Sequence, residues 1–171
     1  MTAYVALLRA VNVSGTGKLP MTDLKVMGEA CGFEQCRTFI ASGNLLFASK
    51  LGEGEVQQCL AGRIEQYFGR AVPVHVRSAA EMAAAAANNP FADQPGNRVV
   101  ALFLNDEPAQ QMIDAATGIN GERLALGPRL IYIAYGDGMA DSKLKLPAMR
   151  DGTARNMNSV AKIAQLLAGM E

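Results

Sequence analysis

Apolar positions in this chain fall into short runs separated by stretches of helical period, and the first 78 residues carry a complete set. Residues 3–8 and 45–48 are apolar at consecutive positions, the pattern of strands buried on both faces at the centre of a sheet. Residues 36–41 and 72–77 alternate apolar with polar positions, which predicts edge strands; Pro73 cannot donate to a ladder and fits only an edge or a strand start. Helical spacing covers residues 21–31 and 55–68, with Gly32 and Gly69 as their C-terminal stops. The order is βαββαβ. With strands one and three inside and two and four outside, it predicts a ferredoxin-like sandwich of sheet and helices.

After an Ala-rich helix over 78–87, the segment Asn88-Asn-Pro-Phe-Ala-Asp-Gln-Pro-Gly-Asn97 breaks the pattern with Pro, Gly and Asn. A strand over 98–104, a helix over 108–116, a hairpin over 123–126 and 129–134 around Gly127-Pro128, and a last helix over 155–168 follow. That second series is the first again without its final strand. The expected fold is therefore α+β, two ferredoxin-like halves with antiparallel sheets, residues 1–78 and 79–171.

Composition narrows the function without naming one. Sixteen basic residues balance sixteen acidic ones, so no global field draws the chain to nucleic acid or to an anionic membrane. The start, Met1 to Leu8, is too short for a membrane span and lacks the basic opening of a signal peptide. Cys31, Cys36 and Cys59 are odd in number, form no CxxC pair and have no neighbouring His. This predicts three reduced thiols, no disulfide, no metal site and a cytoplasmic location. No cofactor is indicated.

Two polar clusters exceed what caps and turns require. Arg9-Ala-Val-Asn12-Val-Ser-Gly15-Thr-Gly17-Lys18 leaves a central strand, and its glycines let the backbone approach an anion while Arg9 and Lys18 bring charge. It is neither GxxxxGK[ST] nor GxGxxG; the plain alternative is a surface loop with turn glycines. The second cluster is Thr153-Ala-Arg155-Asn156-Met157-Asn158-Ser159. On the predicted last helix, Met157, Val160, Ala164 and Leu167 share one side and Arg155, Asn158, Ser159 and Lys162 the other. Residues 143–162 hold five basic side chains against Asp151 alone. Ser42-Gly43-Asn44, between two strands, reads as a tight turn more readily than as a binding loop. His75 is the only histidine, so neither a metal site nor a catalytic triad can be assembled around it.

Several of these strings, with Lys18-Leu-Pro-Met21, Thr38-Phe-Ile-Ala-Ser42-Gly43-Asn44, Asn89-Pro-Phe91, Asp137-Gly138 and Ser142-Lys143-Leu144, resemble the family called domain of unknown function 1697. The resemblance implies a two-part α+β fold and no established activity. The family's Arg-Asn-Trp-Asn-Thr motif is matched at Arg155, Asn156 and Asn158; Met157 replaces the aromatic residue and Ser159 the threonine. Asp141 stands where family members often carry arginine, which interrupts any basic patch there.

The favoured expectation is a small anionic ligand, a nucleotide or phosphorylated metabolite, in a cleft between the halves. Arg9, Lys18, Lys143 and Arg155 meet its charge, and Asn12, Ser42, Asn44, Asn156 and Asn158 orient it, with Arg9 and Arg155 close together. The alternative is a protein-interaction or dimerisation module, in which His75 and Arg77 guard a sheet edge. An enzyme needs a nucleophile and base or a metal set that the sequence lacks. RNA recognition on such a sheet needs aromatics on the central strands, and residues 42–48 supply one.

Overall fold

The apolar run at the start becomes β1 (Thr2–Leu8), and the run after the Ser42-Gly43 turn becomes β3 (Asn44–Ser49). Both are buried along nearly their whole length, as residues apolar on both faces must be. β2 (Glu34–Thr38) and β4 (Val74–Ser78) flank them, and the sheet order β2-β3-β1-β4 is antiparallel throughout. Helices α1 (Met21–Ala30) and α2 (Glu53–Phe68) cover one face. Leu24 and Met27 of α1 and Val56, Leu60 and Ile64 of α2 meet Tyr4, Ala6, Leu8, Leu45, Phe47, Val74 and Val76 of the sheet. Burying each large side chain contributes about 1.5–3 kcal/mol, which is what holds the layer together. Gly69 ends α2 in the left-handed conformation, φ 71°. The short helix α3 (Ala79–Ala87) follows β4 directly.

The computed structural model describes residues 1–12 and 17–171 and divides them into two units, Met1–Met82 with Ile163–Glu171, and Ala83–Lys162. The second unit repeats the sheet. β5 (Val99–Phe103), β6 (Arg123–Gly127), β7 (Leu130–Ala134) and β8 (Thr153–Asn156) pair antiparallel in the order β6-β7-β5-β8. Strand for strand this is the order of the first sheet, so each half is α+β with a four-stranded antiparallel sheet.

Four expectations are corrected. The second half does have its final strand, β8, and Arg155 lies in it; the last helix, α5 (Met157–Ala168), starts two residues later than its periodicity suggests. What the second half lacks is the second helix: α4 (Gln110–Asp114) is a single short turn of helix, and β7 connects to β8 through the 3-10 turns Gly136–Asp141 and Pro147–Arg150. His75 and Arg77 do not form an exposed polar fringe on the edge strand β4, because both are buried. Finally, Cys31, just past α1, and Cys59, within α2, form a disulfide with a Cα–Cα distance of 6.0 Å, and Cys36 is the free thiol. That spacing lies in the range a disulfide spans, and the pairing removes the support that three reduced thiols lent to a cytoplasmic location. Among the described residues, no helix is long and apolar enough to cross a membrane.

Candidate functional site

The first polar cluster is built on the exit from β1. The chain turns out of the strand at Ala10 (φ 54°) and Asn12 (φ 59°), both in the left-handed region that side chains disfavour. Asn12 then closes the loop on itself. Its Oδ1 accepts from the Leu19 N–H at 2.7 Å, its Nδ2 donates to Leu19 O and Ala41 O, both at 2.8 Å, and its own N–H donates to Gly17 O at 3.1 Å. Val11 and Leu19, on either side of the loop, are buried in the core. Arg9, half-buried, enters the loop and Lys18, exposed, leaves it. Gly15, proposed as a backbone donor from sequence, lies outside the described residues.

The Nδ2–Ala41 bond ties this loop to the turn between β2 and β3. There Ile40 is again left-handed (φ 53°) and Gly43 is at φ 89°, where an added Cβ would press into Leu8 and Val11. Asn44 is fully buried; its Nδ2 donates to Phe39 O at 2.9 Å and to Ser42 Oγ at 3.0 Å. Backbone bonds from Leu8 N to Gly43 O (2.9 Å) and from Arg9 N to Pro73 O (3.1 Å) complete the assembly. Thus Arg9, Asn12, Lys18, Ser42 and Asn44 come together at one end of the first sheet, with the amides of Asn12 and Asn44 engaged in holding the two loops.

In the second unit, Arg155 is buried opposite Ala101 of β5, and its Nη1 donates to Thr153 Oγ1 at 2.7 Å and Ala154 O at 3.0 Å. Burial pulls its pKa down to about 10, which leaves it charged at neutral pH. Asn156 is the cap of α5, accepting from the Ser159 N–H at 2.9 Å. Asn158 is exposed and lies over Gly96, where an added Cβ would collide with its amide. Lys143 is elsewhere, beside a cavity of about 320 Å³ that Asn120, Glu122, Asp141 and Ser142 also line. The Asn120 N–H and, more weakly, the Ser142 hydroxyl at 3.0 Å hold the Glu122 carboxyl below the usual range against the opposing effect of burial.

Sequence reasoning gave Arg77 only the role of guarding a sheet edge. It sits opposite Val5 of β1, is buried, and donates from Nη1 to Val76 O at 2.9 Å. Ser78 follows it and caps α3, exchanging bonds with Glu81 at 3.2 and 3.0 Å. Arginine on the fourth strand, then a cap, then a helix therefore occurs once in each unit, as Arg77-Ser78 and Arg155-Asn156. The repeated pair was the signal available in the sequence.

The chain belongs to the family described as protein of unknown function (DUF1697), whose model matches residues 1–132. The loop pair at Arg9 and Ile40 falls inside the matched residues, and the Arg155 motif falls after them. Its fold is similar to that of the conserved bacterial protein SP0830 from Streptococcus pneumoniae, with 24% identity, a TM-score of 0.82, and coverage of 97% of this chain and 98% of that one. Comparison with curated proteins gave no match.

Proposed function

We propose that the protein binds a small anionic ligand of the nucleotide or phosphorylated-metabolite class at the two tied loops of the first unit. Arg9 and Lys18 supply the charge, and Asn12 and Asn44 hold the backbone that presents it. The observation that carries this reading is the concentration of strain. Among the described residues five non-glycine residues have positive φ, and three of them, Ala10, Asn12 and Ile40, lie in these hydrogen-bonded loops. Each costs about 1–3 kcal/mol where glycine would cost less, and such strain gathers where a ligand is held.

Ile40 sharpens the reading. A β-branched residue is the poorest choice for a left-handed position, and Ile40 is also 48% exposed, so neither backbone comfort nor core packing accounts for it. An exposed apolar side chain on a turn tied to the loop that carries Arg9 and Lys18 fits a ligand with a flat apolar part and a phosphate, as in a nucleotide.

The test is a thermal-shift titration with ATP, AMP and inorganic phosphate, read as a saturable rise in Tm. Arg9→Ala and Lys18→Ala are each expected to weaken nucleotide binding by about 1.5–3 kcal/mol, the worth of a hydrogen bond to a charged group. Ile40→Gly is expected to weaken it while leaving stability equal or higher. No saturable shift with any of the three compounds overturns the reading.

A further inference from the structure

In the first unit the sixteen residues of α2 cover part of the sheet; in the second, the connection from β7 to β8 contains no α-helix. The connection itself closes the face that a helix covers in the first unit, and the sheet residues beneath it are buried. Leu144, Leu146 and Met149 lie over the core formed by Val100, Leu102, Ile131 and Ile133. Between this segment and the end of α4 is a cavity of about 560 Å³, within the volume range of small-molecule sites.

Its lining is apolar at Ala115, Leu144, Leu146, Pro147 and Met149 and polar at Thr117, and its charged residues are Lys145 and Arg150. Among the described residues no acidic residue lines it; Asp151, next in sequence to Arg150, is outside. The walls are also fixed. Thr117 and Lys145 exchange backbone bonds at 2.9 and 2.8 Å, and Gly118 (φ 71°) lies so close to the Lys143 carbonyl that no Cβ fits between them. A preformed apolar pocket loses little entropy on filling, and two cations at its rim select for negative charge on whatever fills it.

We infer that this cavity is a second binding site, for a small apolar anion: an aliphatic or aromatic tail bearing one carboxylate or sulfonate. The tail packs against the connection that stands in place of a second helix, and the head group meets Lys145 and Arg150. This gives two of the five basic residues of 143–162, Lys145 and Arg150, a role without a phosphate ligand, and it stands whether or not the Arg9 loops bind a nucleotide.

Decanoate is the probe, with decan-1-ol and decyltrimethylammonium as controls of equal tail length, followed by amide chemical shifts in the full chain. Decanoate is expected to bind saturably and shift residues 115–117 and 144–150, and to bind about tenfold more tightly than either control. Lys145→Glu and Arg150→Glu, both at exposed positions, are each expected to weaken it about tenfold. Ala115→Trp, also at an exposed position, is expected to block it by filling the cavity, with far-ultraviolet circular dichroism unchanged. Equal binding of decanoate and decanol, shifts centred on Arg9 and Lys18 instead, or no saturable binding overturns the inference.

Discussion

Asn12 joins two loops with one side chain, and it does so in a backbone conformation that asparagine tolerates better than most residues. Its amide group makes three bonds to backbone atoms. Asn12→Ala removes all three and keeps the left-handed backbone, so it is expected to destabilise the protein by about 2–4 kcal/mol, measured by urea unfolding. Asn12→Asp keeps an oxygen to accept from the Leu19 N–H but removes the donor to Leu19 O and Ala41 O, and should lose nearly as much. An Asn12→Ala protein as stable as the parent would mean that the loops stand without the clamp. The sequence singles out Asn12 and Asn44, but it does not reveal that their amides hold the loops themselves, because the partners, Leu19, Ala41 and Phe39, are brought there by the fold. Arg155 is a sharper case. Read by helical period it falls on a solvated face, yet it is buried, since it belongs to a strand whose inward position is set by Ala101 across the sheet.

Element by element, legibility followed length and periodicity. β1, β3, α1 and α2 are long or strongly patterned, and their existence is plain in the sequence. β8 is four residues, Thr-Ala-Arg-Asn, with no apolar run, and only its pairing with β5 makes it a strand. The helical period of α5 runs back across it, so a boundary was missed where long-range pairing overrode local pattern. Disulfide pairing was hidden for the same reason: Cys31 and Cys59 are 28 residues apart and meet only once α1 and α2 lie side by side. The repeated arginine, cap and helix give a test at this scale. Asn156→Ala and Ser78→Ala each remove a helix cap, and each is expected to cost about 1 kcal/mol. The loss should be local, with faster amide exchange in the first turn of α5 for Asn156→Ala and of α3 for Ser78→Ala. Exchange that accelerates uniformly over the whole chain in either variant would contradict the capping role.

For the molecule as a whole, the division of the chain is not a simple cut into front and back. The first unit is made of Met1–Met82 together with Ile163–Glu171, so α5 starts in one unit and finishes in the other. Ile163 and Leu167 are fully buried, and burying each contributes about 1.5–3 kcal/mol. Deleting residues 163–171 is therefore expected to remove about 3–6 kcal/mol, a large share of the 5–15 kcal/mol that keeps a domain folded. Amide exchange in β1 and β3 reads it, and unchanged protection there would show that the first unit is complete without this segment.

The same division has a consequence in time. Ile163 comes 81 residues after Met82, so on a ribosome adding about 5–20 residues per second the first unit waits roughly 4–16 s for its last piece. All four strands of its sheet have been synthesised by then, and the place of Ile163 and Leu167 is still open. The newborn chain thus passes through an interval in which its first half is nearly assembled but unsealed, and the last stretch of α5 to be translated is what closes it.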